Sequence, residues 1–418
     1  MCRVAREYTI RAMRILLASH GTRGDVQPMI ALAVALRHRG HNVRFVTPAN
    51  FVGWIRGLGF ACESDGIDVE EVLRRPDIDV QSFRSQMQYF KTLAPQLFDA
   101  TARASAGAEI IVGSGVQLAG MSIADLRGVP YVNAIFCPCV VPGSTAPPIR
   151  WQTLPPWVNR LIWRMGLPII DALIRGTINR CRAQLGLAPV DHPVAMLADC
   201  GIALAADREL APLPPDAPST VVQTDAWILD DPAALDPEVD GFLRAGPAPI
   251  YIGFGSMVAN DLDRIASSIA GAARVCDCRM IVASGWAALH DRLPASDRIL
   301  VIQSAPHRAL FPRVAAIVHH GGAGTTRSAT GAGVPQVILP HLLDQYYWAR
   351  RIEVLGLGPA SVPVERVTPQ SLAERIDVVL HDERFRTRAR ELGARVAVRD
   401  GTAAGVEYLE SPHVHRRA

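Results

Sequence analysis

Lysine is almost absent from this chain. Of its 43 basic residues only Lys91, in QYFKTLAP, is a lysine; the other 42 are arginine. A Walker-type phosphate loop needs a lysine after its last glycine, and Lys91 has no glycine before it. A pyridoxal enzyme needs a Schiff-base lysine, for which Lys91 is a weak candidate. Phosphate handled here therefore falls to arginine, histidine, backbone amides or a metal. A charge excess is also missing: 43 basic against 40 acidic residues leave +3, which argues against a dedicated nucleic-acid binder. No run of about 18 uncharged apolar residues exists, so no membrane span is expected. The start MCRVAREYTIRA is basic but has no apolar run of the signal-peptide kind. Residues 1–12 read as a disordered extension and 411–418 as a tail. The eight cysteines include two C-x-C pairs, Cys137/Cys139 and Cys276/Cys278. Neither pair has zinc-site spacing or a matching histidine cluster. They read as structural thiols of a reducing compartment, and the expected localisation is cytoplasmic.

What is present is apolar and alternating. Hydrophobic residues make up 49% of the 418 residues, enough for two domain cores. RILLASH (14–20) is a continuous apolar run, followed by the loop GTRGDVQP, a helical run to Gly40 and a second strand, HNVRFVTP. Strands without polar alternation, joined through helices, predict a parallel sheet covered on both faces. The pattern recurs at EIIVGS and YVNAIFCP. NRLIWRMGLPIIDALIRGTINR reads as a core-facing amphipathic helix kinked at Pro168, rather than a pocket wall or a membrane-surface helix. A dense proline stretch then reads as a linker over 216–247, and the alternation restarts at PIYIGFGS. The expected organisation is two Rossmann-like α/β domains, 13–215 and 248–410, facing each other across a cleft that is the default ligand site. Most of the arginine excess reads as a solvated-face preference.

The strongest motif is AAIVHHGGAGTTRSATGAGVPQVILPHLLDQ (315–345). A buried strand runs into Gly321, Gly322 and Gly324 and then into a helix. Glycines there allow close backbone approach, and amides at a helix start favour an anion. His320 sits at the strand end and can donate to the same anion. Burying His319 and His320 together is costly without a use, and one of the two is expected to be structural. Thr325 and Thr326 add hydroxyls or cap the helix.

H-H-G-G-A-G-T-T, followed by G-V-P and P-x-x-x-D-Q, resembles the donor signature of family 1 glycosyltransferases with the two-domain GT-B fold, above all bacterial antibiotic and sterol-type members. G-T-R-G-D-V-Q-P (21–28) resembles their N-terminal loop and G-F-G-S (253–256) their first C-terminal strand turn. The resemblance spans about Met13 to Glu410, and it implies that the last helices cross back to the first domain. It also implies an inverting transfer of a hexose from a nucleotide diphosphate sugar, UDP- or dTDP-linked, to a hydrophobic small molecule such as a polyketide, peptide antibiotic, sterol, phenol or lipid. C-transfer and rhamnosyl transfer on the same fold are the alternatives. His320 and the amides of Gly322, Ala323, Gly324 and Thr325 match diphosphate contacts. Ser256 and Thr22 match further donor contacts, and Ala305 matches a base contact with His307 beside it. Asp344 and Gln345 match the pair that holds sugar hydroxyls.

Asp25 is the candidate general base, because related enzymes carry Asp or His in this loop. The general base takes the acceptor hydroxyl proton during attack. Its structural alternative is a helix cap, and its chemical rival is His20. No metal and no cofactor are expected: DLD (261–263) opens a helix and DID (77–79) lies in a variable region. Membrane contact is expected to be at most peripheral, and the chain a monomer or homodimer. A nicotinamide oxidoreductase would need G-x-G-x-x-G with a distant acid; GFGSMV lacks the third glycine. A catalytically silent nucleotide-sugar binder is opposed by the intact Asp25, His320, Asp344 and Gln345.

Two positions depart from the family pattern. Ser304 stands where plant members stack tryptophan on uracil, and Ser328 stands where many members place a ribose-binding glutamate. Trp286, in ASGW, is the candidate substitute ring. Trp286→Ala is expected to weaken nucleotide binding about tenfold, the scale of base–aromatic stacking. Unchanged affinity by calorimetric titration would remove Trp286 from the site.

Overall fold

The computed structural model describes residues 11–75, 78, 82–230, 232–255, 261–285, 289, 292–293 and 296–415. Residues 1–10 and 416–418, Ser256 and Trp286 lie outside them. The first half forms strands β1 (Arg14–His20), β2 (Asn42–Thr47), β3 (Ala61–Ser64), β4 (Ile110–Gly115), β5 (Tyr131–Ile135), β6 (Gly201–Leu204) and β7 (Val221–Gln223). The second half forms β8 (Ile250–Gly253), β9 (Met280–Ala283), β10 (Ile299–Ile302), β11 (Ala316–His319) and β12 (Gln336–Ile338). Every pairing among these strands is parallel. The orders are β3-β2-β1-β4-β5-β6-β7 and β10-β9-β8-β11-β12.

Each sheet therefore winds outward in both directions from one central gap, between β1 and β4 in the first and between β8 and β11 in the second. Such a switch point leaves a crevice at the carboxyl ends of the strands, where no crossover helix covers the sheet. The central strands are apolar on both faces, which is why they tolerate helices above and below. Residues 15–20 of β1 are all buried.

The segment read as a linker, 216–247, is not purely one. β7 lies inside it and extends the first sheet past residue 215, and a helix spans Pro237–Arg244. β7 contains no proline and lies at the sheet edge, paired only with β6. The long helix Pro156–Gln184 continues through Pro168 as a single element.

The two halves share one apolar core. Cys137, Cys139, Ile202, Leu204 and Leu210 of the first half pack in one cluster with Tyr347, Trp348, Ile352, Leu392 and Val396 of the second. Polar ties surround it. Arg327 Nε donates to Asp207 at 2.9 Å and its Nη2 to the Val396 carbonyl. Arg351 donates to the Leu210 carbonyl, and Arg395 and Arg399 both bind Glu209. Part of the arginine excess thus joins the halves: a forked guanidinium serves a carboxylate and a carbonyl at once, which a single ammonium cannot do as well. The helix Gly401–Glu410 crosses back and packs on the helix Arg23–His38. There Glu410 accepts from Arg39 and sits 3.0 Å from His41 Nε2. Close approach at this crossing requires glycine: a Cβ on Gly401 would lie 2.4 Å from the Asp225 and Ala226 carbonyls.

The Arg327–Asp207 pair is nearly dry, with side chains 11% and 1% exposed. Arg327→Met leaves the Asp207 carboxylate buried without its cation and is expected to cost about 3–5 kcal/mol. Adding Asp207→Leu should recover most of that loss, because no buried charge remains. Urea midpoints of the two variants check both outcomes.

Candidate active site

The first switch point is built around Asp25. The chain leaves β1 at His20, turns through Gly21 and enters the helix Arg23–His38 with Thr22 as N-cap. Asp25 is the third residue of that helix, so the helix begins earlier than the sequence suggested. Its Oδ2 accepts from the Thr22 amide at 2.8 Å and the Thr22 hydroxyl at 3.3 Å. The Thr22 hydroxyl in turn accepts from the Gly24 amide. The cap reading of Asp25 thus holds as geometry, in the form of a capping box. The Asp25 carbonyl is held by the Ser19 and Ser114 hydroxyls, which fixes the turn between β1 and β4.

Two glycines make room for this carboxylate. Gly21 has φ of 151° and a Cβ there would lie 2.2 Å from Asp25 Oδ2. Gly115, at the tip of β4, has φ of 67°, and a Cβ there would meet the His20 carbonyl at 2.1 Å. Burial raises the Asp25 pKa; the Thr22 hydrogen bonds and the nearby His20 oppose the shift in part. A carboxylate with a raised pKa is a stronger base than a free one.

His20 is placed differently. Its Nδ1 lies 2.7 Å from Asp65 Oδ2, both side chains are nearly inaccessible, and Asp65 Oδ1 accepts from the Ile67 amide. The contact ties the His20 ring to the loop after β3. Asp65 was missed from sequence: it follows β3, 45 positions away from His20, and no local pattern links the two.

The second switch point gathers imidazoles. His319 is fully buried, its Nδ1 accepts from the Gly321 amide, and its Nε2 lies 2.9 Å from Gln336 Oε1. Gln336 passes the chain on to Thr330. His319 is thus the structural member of the pair, and burial pushes its pKa down to about 3. His320 turns the other way. Its Nδ1 is buried without a well-formed hydrogen bond, although the Gly253 carbonyl is near enough to favour the charged form. Burial nevertheless pushes its pKa down to about 4. Gly322 is required beside it, because a Cβ there would lie 2.4 Å from His320 Nε2.

Gly322 is the N-cap of the helix Ala323–Gly331 and supplies no capping side chain. The first helical amides, Ala323, Gly324 and Thr325, have no partner of their own inside the helix. With His320 at the preceding strand end they form one donor set at a helix start. Thr326 is not part of it: its hydroxyl donates to the Gly322 carbonyl.

Asp344 and Gln345 lie at the start of the helix Gln345–Val354. Asp344 Oδ2 accepts from Trp348 Nε1 at 3.2 Å. Burial, and then the negative charge of Asp25, push the Asp344 pKa up to about 6. The charge of Asp25 thus reaches Asp344 from the opposite domain. Gln345 Oε1 is committed to the loop, accepting from the His341 and Leu342 amides. Leu343, just before Asp344, has φ of 48°, a strained value for leucine. His341 was also missed. It is buried, its Nδ1 lies 3.0 Å from the Leu339 carbonyl, and its Nε2 has no partner. Its ring centre is 6.4 Å from that of His320. A histidine inside the P-x-x-x-D-Q loop was the available signal.

His307 is packed rather than presented. It stacks on Phe311 with centroids 4.1 Å apart and lies edge-on to Tyr251. Burial pushes its pKa down to about 4, and the charge of Arg23 from the other domain adds to that shift. Arg23 lies over the Trp54 ring and donates to Gln27. Ala305, before His307, is half-buried. The remaining expected donor contacts, Ser256 and Trp286, lie outside the described residues. The structure thus brings Thr22, Asp25, His320, the 322–325 turn, Asp344 and Gln345 to the ends of the central strands.

Two family models match the chain: the family 28 glycosyltransferase N-terminal domain over residues 15–138, and the erythromycin biosynthesis protein CIII-like C-terminal domain over residues 268–407. Glycosyltransferase GtfE of Amycolatopsis orientalis is 35% identical, aligned over 95% of this chain and 97% of its own length. The vancomycin aglycone glucosyltransferase of the same organism is 35% identical with the same coverage, 95% and 97%. A sterol 3-beta-glucosyltransferase of Emericella nidulans is 30% identical over 95% of this chain, which matches 30% of that longer protein. Among solved structures, the calicheamicin glycosyltransferase CalG4 superposes with a TM-score of 0.71 at 19% identity, covering 96% of this chain and 98% of its own.

Asp344 gives a pH-dependent prediction that needs no substrate. A carboxyl raised to about 6 in the fold favours folding below the ordinary carboxylate range and loses that contribution as pH rises through 6. Asp344→Asn is therefore expected to raise stability at pH 8 by roughly 1–2 kcal/mol, after allowance for solvent screening, and to change little at pH 4. Urea midpoints at the two pH values check this.

Proposed function

The chain belongs to the nucleotide-sugar-dependent glycosyltransferases of antibiotic and sterol type, with the GT-B fold, and from that membership we propose an inverting hexose transfer to a hydroxyl of a hydrophobic small molecule. One observation carries this reading: the buried Asp25 carboxylate at the first switch point, and His320 with the helix-start amides at the second, belong to two halves locked by one shared core. A donor held at the second switch point would present its anomeric carbon toward the first.

In this proposal the donor diphosphate lies on His320 and the amides of Ala323, Gly324 and Thr325. Its sugar hydroxyls meet Asp344, with Gln345 shaping the loop from behind. The acceptor hydroxyl oxygen attacks the anomeric carbon from the side of Asp25. The new C–O bond forms as the bond to the diphosphate oxygen breaks, and configuration inverts. The acceptor proton passes to the Asp25 carboxylate, and the electron pair leaves with the diphosphate. Electrostatic stabilisation by fixed amides at a helix start is the main term required of the second domain. No metal takes part in this scheme. The donor base is UDP or dTDP, a choice the Ser304 and Ser328 departures leave open.

An apolar acceptor is supported by what surrounds Asp25. Val116 follows directly after Gly115, and its amide donates to the His20 carbonyl. Val116, Val140 and Leu343 are all exposed large apolar residues at strand ends or in the Asp344 loop. Exposed apolar groups beside a reacting centre suit an aglycone that is itself poorly soluble.

Asp25→Asn is expected to cut turnover about 10²–10⁴-fold, while His20→Ala, which removes a buried partner of Asp65, should act mainly on stability. Turnover is measured with UDP- and dTDP-sugars, after thermal-shift screening of both nucleotides and mass-shift screening of acceptors. Full turnover by the Asn variant would remove Asp25 as the base and pass the role to His20.

A further inference from the structure

The helix Pro156–Gln184 presents an outward face that the fold leaves uncovered. Its buried residues are Asn159, Asp171, Ile174, Thr177, Ile178, Cys181 and Arg182, so the C-terminal half is anchored and the N-terminal half stands proud. From Arg160 to Ile170 no residue is buried. Trp157, Leu161, Met165 and Ile169 follow at four-residue spacing and are 65%, 45%, 60% and 56% exposed. At 1.5 Å per residue this stripe runs about 18 Å along the helix. Trp151, just upstream, is 66% exposed. Over this N-terminal half the apolar residues face outward, whereas an ordinary surface helix turns its apolar side inward, as the C-terminal half does with Ile174, Ile178 and Cys181.

Charge decides what would cover such a face. Arg160, Arg164 and Arg175 are exposed beside the stripe. Arg160 binds Asp216 at 2.7 Å, while Arg164 and Arg175 make no ion pair among the described residues. The single acid of the helix, Asp171, is buried and accepts from the Val194 amide. The helix therefore offers an apolar and basic outer face with no carboxylate of its own; the neighbouring Asp216 and Glu365 are paired with Arg160 and Arg150. A second copy of the chain, docked by a two-fold axis, would bring one basic face against another, with no carboxylate on the helix to offset it. A neutral small acceptor would leave the arginines without a counter-charge and would span only part of the stripe.

We propose that this face of the Pro156–Gln184 helix rests on an anionic lipid bilayer, with Trp151, Trp157, Leu161, Met165 and Ile169 entering the interface and Arg164 and Arg175 meeting lipid phosphates. An interfacial helix combines an apolar stripe, flanking arginines and tryptophan at the polar–apolar boundary. The contact is peripheral: no helix among the described residues is long and apolar enough to cross a membrane. Its consequence is access, since an enzyme seated on a bilayer can take a lipid-dissolved acceptor without its passage through water.

The test is co-sedimentation of the full chain with vesicles of phosphatidylcholine alone and of phosphatidylcholine mixed with phosphatidylglycerol. Binding should be about tenfold stronger to the anionic vesicles and should fall with added salt. Trp157→Ser with Met165→Ser should abolish it on both vesicle types. Arg164→Gln with Arg175→Gln should remove the preference for anionic lipid. All four positions are exposed, so the variants should keep the parent thermal midpoint and donor hydrolysis rate. Absence of sedimentation with either vesicle would overturn the proposal, as would binding unaffected by the variants. So would a dimer in sedimentation velocity that the same variants dissociate, or a raised KM for a water-soluble acceptor with vesicle binding intact. None of these readouts requires the proposed base or donor contacts to be correct.

Discussion

Everything at the active site depends on two sheets being held with their open ends toward each other. Neither half contains the site alone: Asp25 ends one sheet and the donor-side loop ends the other. The hold is a shared apolar core with Trp348 and Tyr347 at its centre, bordered by the dry Arg327–Asp207 pair and closed by a helix that returns to the first domain. Interfaces between domains are usually smaller and more polar than cores, and they permit relative motion. Here the apolar contact begins two residues after Gln345, so the residue meant to hold sugar and the residue that fixes the interface share one helix. Motion of one half is therefore coupled directly to the position of Asp344.

A second constraint is desolvation. Four imidazoles, His307, His319, His320 and His341, are buried close together and all have lowered pKa values. Two carboxyls opposite them have raised ones. Without a ligand the site keeps little charge on its histidines, because burying several cations together is costlier than burying neutral rings. In the proposed scheme a diphosphate between His320 and the helix amides would supply opposing charge and favour the protonated form of His320. The near-zero net charge of the chain fits the proposed scheme: one bound dianion needs no basic surface.

The catalytic reading of Asp25 and its capping reading are not rivals. The carboxylate oxygen that accepts from Thr22 is the one that Gly21 leaves room for, and the same turn sets the group at the crevice. A capping box holds it in one rotamer, so the base would be positioned before substrate arrives. That accounts for two glycines at positive φ within a few ångströms of a single side chain.

The parallel α/β architecture was legible from strands such as RILLASH and AAIVHH, because burial on both faces removes polar alternation and leaves an unbroken apolar run. The donor loop was legible because helix-start amides, glycines and a strand-end histidine are contiguous in the chain. Local patterns misread the proline-rich 216–247 segment: the proline-free β7 lies inside it, and only pairing with β6 makes it a strand. At Pro168 the helix runs on as a single element. Partnerships across long sequence separations were invisible. His20 with Asp65, His320 with His341, Arg327 with Asp207, and the charge coupling of Asp25 to Asp344 exist only once the sheets are wound and docked. Sequence determined which short segments could form a phosphate cradle and a capped carboxylate. Tertiary structure decided that they face each other, because their distance is set by a core assembled from both halves and not by any stretch of chain between them.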